Sequence, residues 1–319
     1  MFKKLNFKAL IIILLVLVGI VIMINLTGKK ERTFKSKVLE FDPELITGMT
    51  VYNPEIDDII TLIKPGEDTW EVSYEGKTYK ADEKAIVHML KMLSDMKTMH
   101  IAATSEDKWE DFHVSDKSGI RVELLQGKDI VANLMIGKFS YKLKEPQGSE
   151  QPMQQQQKEA TMTSYLRNVD EDEVYAVDGI LRMNFTSGIE FFRNKEIIGK
   201  DPKQLTKLTF TYPDQSFTLE QSDGYWFIEG QPVDSLKTAR FLRNIATFRS
   251  SDFLDDVNLA GSASVMNLVV QGIDFDPIDI SVYPAPDTNI AYYVTSTHNP
   301  ETVLNGTKGK LVDKTFVGK

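Results

Sequence analysis

The amino-acid sequence predicts an α+β protein with an N-terminal transmembrane helix followed by two similar β-rich units, each an antiparallel sheet with one packed helix. A charge-free apolar run fills residues 9–26, segments of alternating polarity outnumber helical patterns, and one order of strands, turn and helix occurs twice along the chain. Short polar connections at 126–129 and 222–224 suit hairpins. A doubly wound parallel sheet would instead need a helix between successive strands.

The apolar run predicts the first element. As a helix, residues 9–26 would measure about 27 Å, close to the roughly 30 Å of a bilayer core. A cleaved signal peptide needs a small-residue exit, which residues 25–30 do not offer, and a lipoprotein needs a cysteine, which the sequence lacks. We therefore expect residues 1–32 to form a cytoplasmic tail and a retained transmembrane anchor.

The anchor also predicts a compartment. Its two positive flanks are nearly balanced, so charge alone does not decide the orientation. Long domains translocate largely regardless of flank charge, and a short cationic tail before one apolar helix is the common form of an uncleaved signal anchor. We expect a single-pass protein of the inner (cytoplasmic) membrane of a bacterial envelope, with its large domain outside the cytoplasm.

The rest of the chain is long enough for two units of about 140 residues. We expect the first unit over residues 33–178, a connector over 179–204 and the second unit over 205–319. In each unit a tryptophan-bearing strand and a Glu-Gly turn precede an aspartate and a helical pattern. Because an aspartate carboxylate accepts hydrogen bonds from the unpaired amides of a first helical turn, it is expected to cap each helix. The matching residues are Trp70 and Asp82 in the first unit, and Trp226 and Asp234 in the second.

The two helical patterns share a buried stripe. Apolar residues lie 7, 8, 11 and 14 positions after each aspartate, which is the spacing of a helix that packs on a sheet. These are Met89, Leu90, Leu93 and Met96 in the first unit and Phe241, Leu242, Ile245 and Phe248 in the second. The strand patterns 119–125, 130–137 and 174–177 are matched with 265–270, 278–283 and 291–294, respectively. We interpret this as an internal duplication.

One segment fits neither core. Residues 145–160 are rich in glutamine and contain almost nothing apolar to bury, so a disordered loop is expected there. A partner-binding role is an alternative, but the composition favours a tolerated insertion.

The sequence contains no standard catalytic or nucleotide-binding signature, such as G-x-S-x-G, H-E-x-x-H, G-x-G-x-x-G or a P-loop. We therefore predict no catalytic, cofactor-binding or metal-binding residues and no cofactor. A paired-carboxylate hydrolase stays open, because its two acids can come from distant strands.

The candidate metal ligands are weak. The histidines lie at no recognised ligand spacing; they are His88, His100, His113 and His298. The acidic runs 170–173 and 274–279 lack the glycine turn and distal glutamate of a calcium loop. We expect both runs to be solvated turns before strands.

Charge and tryptophan placement bear on partners. The first 32 residues carry a net charge of +5, so the remainder carries −14, which disfavours nucleic acid. Trp70 and Trp226 occupy matching positions and are expected to fill the two cores. Trp109 has no counterpart and lies in a polar connection, so it is the better candidate for a contact surface.

The chain resembles the DUF4340 family of bacterial membrane-anchored proteins. The resemblance rests on the N-terminal anchor, residues 70–79, the Asp82 helix, the strand pair within 122–137, Val174-Tyr175-Ala176-Val177, and Phe192-Arg193-Asn194-Lys195-Glu196-Ile197-Ile198. The family has no established catalytic residues to carry over. The resemblance implies, by association, a companion of ABC-type export systems, including those related to gliding-motility transporters.

The function expected from these features is that of a non-enzymatic, membrane-anchored accessory or scaffold protein. Its partner would be an integral membrane complex, with ABC transporter subunits as the implied candidate. An anchor raises the local concentration near such a partner without any catalytic group. Two alternatives stay open: an extracytoplasmic ligand-binding module with its site between the two units, and an envelope hydrolase without a readable motif.

Overall fold

The computed structural model describes residues 37–55, 57–66, 69–143, 160–286 and 289–316. The predicted membrane anchor at 9–26 lies outside these residues, as does the predicted loop at 145–160 apart from its last residue. Among the residues described, no helix is long and apolar enough to cross a membrane.

Two antiparallel sheets confirm the α+β class with two β-rich units. The first sheet contains β1 (Gly48–Asn53), β2 (Asp58–Ile63), β3 (Glu71–Tyr74), β4 (Lys77–Lys80), β5 (Thr98–Ala103), β6 (Ile120–Gln126), β7 (Asp129–Leu143), β8 (Ala160–Asn168) and β9 (Val174–Asp178). The second contains β10 (Leu205–Thr211), β11 (Ser216–Ser222), β12 (Tyr225–Ile228), β13 (Gln231–Pro232), β14 (Met266–Gly272), β15 (Ile278–Pro284), β16 (Tyr292–Ser296) and β17 (Leu304–Asn305). Each sheet has its own apolar core.

The α-helices are few. They are α1 (Glu83–Ser94), α2 (Met183–Thr186), α3 (Ser235–Ala246) and α4 (Leu311–Thr315). Both predicted caps are confirmed. A carboxylate oxygen of Asp82 accepts from the backbone N–H of Ala85 at 3.2 Å, and that of Asp234 accepts from Lys237 at 2.9 Å.

The apolar stripe is more deeply buried on α1 than on α3. Met89, Leu90 and Leu93 of α1 are buried, as is Met96 just beyond its end. In the second unit Leu242 and Ile245 are buried, whereas Phe241 and Phe248, the latter beyond the end of α3, are half-buried. The prediction is therefore correct about the face of each helix, but the depth of burial differs between the units.

The strand order shows the duplication directly. The first sheet runs β4-β3-β2-β1-β6-β7-β8-β9-β5, and the second runs β13-β12-β11-β10-β14-β15-β16-β17. In both, a four-stranded meander leads into the long helix, and the chain then returns to pair with the first strand of that meander. The pairing of β5 with β9 has a remnant in the second unit, a single bridge between Phe253 and Leu304.

The register corrects one predicted match. Residues 174–177 form β9, and the pattern matched them with 291–294, which overlaps β16. However, β16 pairs with β15 as β8 pairs with β7, so β16 is the counterpart of β8 and the short β17 is the counterpart of β9. The alternating apolar residues of 291–294 are compatible with the position of β8 and with that of β9, and only the neighbouring strand in the sheet shows which of the two is correct.

The repeat also begins earlier than the pattern indicated. Asp42-Pro43 and Asp201-Pro202 each open a 3₁₀ turn capped by the aspartate. Just before each turn, a side chain from an equivalent strand end binds the backbone: Asn168 Nδ2 donates to the Val38 carbonyl, and Ser296 Oγ to that of Ile197. Residues 197–204, within the predicted connector, thus take the same place beside the second sheet that 38–45 take beside the first.

Candidate functional site

The segment 193–196 lies between the two units and is hydrogen-bonded to both. On the side of the first unit, the backbone N–H of Asp82 donates to the Phe192 carbonyl at 2.7 Å, and that of Asn194 donates to Lys80 at 2.8 Å. On the side of the second unit, the N–H of Ser250 donates to the Lys195 carbonyl at 2.9 Å. The junction is therefore built from main-chain pairing as well as from side chains.

Arg193 occupies the centre of this junction, with its side chain only 1% exposed. Its guanidinium stacks between the rings of Tyr79 and Phe253, 3.7 and 3.9 Å from their centroids. Nη1 donates to both carboxylate oxygens of Asp255 at 2.8 Å, and Nη2 donates to Thr302 Oγ1 at 3.4 Å. Because a buried guanidinium is tolerated only when it is paired, these contacts join one residue of the first unit to three of the second.

A second set of charges lies beside the N-terminus of α1. Arg249 Nη2 donates to Asp82 Oδ2, and its Nη1 lies 3.4 Å from Glu196 Oε1. The same Glu196 oxygen accepts from Lys84 Nζ at 2.9 Å. Burial raises the pKa of Glu196, but the hydrogen bond and charge of Lys84 and the charge of Arg249 outweigh this and lower it overall. The carboxylate therefore stays ionised and paired.

His298 lines a cavity of about 230 Å³ between the units. Burial, followed by the charges of Lys80 and Lys200, lowers the pKa of His298 to about 4, although Glu196 opposes the shift. Its Nε2 lies 3.8 Å from Glu196 Oε2 and is buried without a hydrogen-bond partner among the described residues. A Cβ at Gly199 would collide with the imidazole, and this residue has a φ of +63°, so glycine is required there on both counts.

The two lysines that face the junction are also engaged. Burial lowers the pKa of Lys80, with a smaller contribution from Lys200, and its Nζ donates to the His298 carbonyl at 3.1 Å. Burial likewise lowers the pKa of Lys195, whose Nζ donates to the carbonyls of Phe191 and Arg193.

The arrangement joins the units and leaves two spaces beside the junction. The 230 Å³ cavity is smaller than the roughly 300 Å³ at which ligand pockets begin. A second crevice of about 480 Å³ lies on the other side, lined by Lys77, Tyr79, Asp255 and neighbours. Most charged groups between these spaces already bind one another.

The structure separates the histidines singled out in the sequence. His88, His100 and His113 are exposed at different places in the first unit, and His298 lies at the junction. Throughout the described part of the chain, no group of three or more histidine, aspartate or glutamate side chains is placed to hold a metal ion.

The run 170–173 and the first part of the run 274–279 form turns before β9 and β15, as predicted, whereas Asp279 is already within β15. In the first, Glu171 Oε2 accepts from the hydroxyl of Tyr175 at 2.6 Å. In the second, Asp279 Oδ1 accepts from Asn267 Nδ2 at 2.6 Å and from Ser281 Oγ at 3.0 Å. These carboxylates serve local structure.

The three tryptophans differ in burial. Trp70 is buried in the first core, and Trp226 is half-buried against the second. Trp109, the candidate for a contact surface, is half-buried, and its contact role stays a prediction. Its indole N–H donates to the Asp172 carbonyl at 3.0 Å, and the guanidinium of Arg167 covers its ring at 3.6 Å.

Sequence reasoning missed the junction residues. Arg193 lies in the predicted connector and in the stretch that carries the family resemblance, and its partner Asp255 lies 62 positions further along the chain. No local pattern links the two. The local signal is a polar stretch, Arg193-Asn194-Lys195-Glu196, enclosed by the apolar pairs Phe191-Phe192 and Ile197-Ile198.

Comparison with known proteins gives one match. Residues 156–264 match the family described as Domain of unknown function (DUF4340), which confirms the resemblance over that segment. The matched range includes 174–177, 192–198 and the Asp234 helix, whereas residues 70–79 and the Asp82 helix lie outside it. No curated protein and no solved structure matches the chain.

Proposed function

We propose that this chain is a non-enzymatic, membrane-anchored accessory or scaffold protein. The observation that carries the proposal is the junction, where the charged groups are paired with one another across the units. Arg193 with Asp255, and Arg249 with Asp82, use their hydrogen-bonding capacity on protein partners. Such a junction favours a single body that presents its outer surfaces to a partner.

The membrane part of the proposal rests on the sequence. Residues 9–26 would anchor the chain in the inner membrane, with the large domain outside the cytoplasm. An anchor confines the body to the membrane plane and raises its local concentration near an integral complex. The proposal that this complex contains ABC transporter subunits is supported only by the family resemblance.

The 480 Å³ crevice favours a second candidate, an extracytoplasmic ligand-binding module with its site between the units. Asp255 is 38% exposed and lines this space together with Lys77, so both charge signs reach it. A ligand there would compete with Arg193 for the carboxylate, which makes this candidate weaker than the scaffold.

The decisive experiment separates the body from its anchor. Residues 1–32 are replaced by a cleavable signal peptide, and function in cells is compared with that of the full chain and of a variant carrying an unrelated single-pass anchor. A contact function near the membrane predicts loss with the cleavable signal and retention with the unrelated anchor. Crosslinking in native membranes should recover integral subunits with both anchored forms. Full function of the released body would overturn the proposal.

The ligand-binding alternative predicts a different result. Substituting Lys77→Ala would abolish function without altering crosslinking, and would lower the melting temperature only slightly, because the hydrogen bond from its Nζ to the Asp255 carbonyl is exposed. An exposed lysine outside the crevice, Lys128→Ala, provides the matched control.

A further inference from the structure

The two units differ at one equivalent surface. The strand register makes Val72 and Ile228 equivalent. Ala81 and Val233, which precede the two helix caps, are also equivalent, because their backbone N–H groups donate to the carbonyls of Trp70 and Trp226, respectively. Met89 and Phe241 are equivalent because each lies seven positions after its capping aspartate. The three residues of the first unit are at most 3% exposed, whereas all three of the second are half-buried.

In the first unit this surface is covered by the chain that follows β9. Phe185, Ile189 and Phe192 are part of the first core together with the stripe of α1. The cover ends as an added strand, because Arg193 forms an antiparallel bridge with Ala81. An extended segment with bulky apolar side chains thus closes both the helix face and the sheet edge.

In the second unit the corresponding surface is an open groove of about 400 Å³, here called the α3 groove. It is lined mainly by Phe210, Phe217, Ile228, Val233 and Phe241, with Lys237 at its rim. Among the described residues no strand pairs with the outer edge of β13. The ring of Phe316, which follows α4, packs edge-on against Phe210 at 6.4 Å and covers only one end.

The surroundings of the groove are basic. It continues past Phe241 into a depression of about 650 Å³ that contains Lys237, Arg240 and Lys314, together with Arg249, which is paired with Asp82 and Glu196. No acidic residue is among the described lining of the depression, and the one acidic residue that lines the groove itself is Asp234, the cap of α3. This patch lies on a body whose net charge beyond residue 32 is −14. Charge complementarity therefore favours an occupant that carries acidic residues beside its apolar ones.

We propose that the α3 groove binds an extended segment of a partner protein in which bulky aromatic side chains are flanked by acidic residues. The segment would pair its backbone with the edge at Val233 and Asp234, as residues 192–194 pair with 80–82, and place its aromatic rings over Phe241. Addition of a strand to a free sheet edge is a common mode of peptide recognition, with the backbone supplying affinity and the side-chain pockets specificity. The inference rests on the proposed contact function and specifies the surface that would make the contact.

The test uses the full chain purified in detergent and a fluorescent peptide of residues 187–195 that carries Arg193→Glu and Lys195→Glu. This peptide is expected to bind with saturation in fluorescence anisotropy. The same peptide with Phe191→Ser and Phe192→Ser should not bind. Failure of the aromatic peptide to bind, or equal binding of both peptides, would overturn the proposal.

Charge variants locate the binding. Lys237→Glu with Arg240→Glu should weaken binding by about tenfold or more, because both exposed side chains lie on the groove rim or the adjoining depression. Lys91→Glu with Lys128→Glu makes the same change in net charge outside the groove and should leave binding unchanged. Equal weakening by both pairs would overturn the site. A concentration-dependent dimer of the chain that is lost only in the first pair would overturn the assignment to another protein, because the occupant would then be a second copy.

The outcome is separable from that of the anchor experiment. If the peptide binds but function in cells does not depend on the anchor, the scaffold proposal is overturned and the assignment of the α3 groove as a binding site is retained. If function depends on the anchor but the peptide does not bind, only the assignment of the α3 groove as a binding site is overturned.

Discussion

The N-termini of the two long helices occupy equivalent positions and have different surroundings. Asp82, which caps α1, is 7% exposed and lies within the junction, where it accepts from Arg249 as well as from its own helix. Asp234, which caps α3, is exposed at the rim of the α3 groove and accepts from its own helix at Lys237. The repeated sequence therefore determines the local conformation, whereas burial depends on what the rest of the chain places against it.

The largest loss of stability is expected in the segment after β9 that covers the face of α1. Phe192→Ala removes a fully buried ring and should lower the free energy of unfolding by about 3–5 kcal/mol. Phe241→Ala in the second unit should cost less, because its ring is half-buried and no segment of the described chain lies over it. Urea unfolding of both variants measures the difference. Equal losses would show that the two surfaces are covered alike.

The second-largest loss of stability is expected at the junction between the units. Tyr79 of β4 stacks on Arg193, whereas its register counterpart in β13, Gln231, is exposed. Asp255→Ala leaves the Arg193 guanidinium buried without its carboxylate and should cost about 3 kcal/mol in unfolding free energy. The neighbouring exposed Asp256→Ala is the control and should be nearly neutral. If Asp255→Ala were also neutral, Arg193 would not depend on the pair.

The two caps should differ by a smaller amount. Asp82→Ala removes a helix cap and an ion pair with Arg249, and should cost about 1–2 kcal/mol. Asp234→Ala removes a cap alone and should lower the melting temperature less. The pKa of Asp234 is lowered chiefly by the hydrogen bond from the Lys237 backbone, so its contribution is present at neutral pH and is lost as pH falls through that lowered value. A larger effect at Asp234 would contradict the comparison.

The effect at His298 is absent at neutral pH and appears only on acidification. The pKa of His298 is about 4 in the folded protein and about 6.5 when unfolded, so between these values the unfolded chain binds more protons and the folded state loses stability as pH falls. His298→Gln should flatten the decline of unfolding free energy between pH 6.5 and 4. The register counterpart in the first unit is Asp170, which is exposed, and Asp170→Asn should leave that slope nearly unchanged. An unchanged slope in His298→Gln would show that the imidazole is not held neutral.

Much of each unit was predictable because its signals are local. Asp82 and Asp234 mark the helix starts, and the apolar stripes that follow them identify the faces that pack on the sheets. Periodicity reports a face but not its cover, which is why Phe241 fits the stripe and is still half-buried. The two Asp-Pro pairs, 159 residues apart, were a readable sign that the second repeat begins before residue 205.

The junction was not predictable in the same way. Arg193 and Asp255 have no shared spacing, and their pairing exists only once both units are folded and docked. The internal contacts of Trp109 were not predictable for a related reason. Its polar neighbours in sequence gave no indication that Arg167, 58 residues later, would cover the ring.

The segment from Ile189 to Ile198 belongs to both cores, because Ile189 and Phe192 complete the first and Ile197 and Ile198 begin the second. During synthesis, all nine strands of the first sheet are therefore translated before its cover is available. At about 5–20 residues per second, the residues from 178 to 192 take about one to three seconds more to be made. Until those residues have been made, the face of α1 lacks the side chains that cover it in the finished protein, so the first core is completed by the segment that leads into the second.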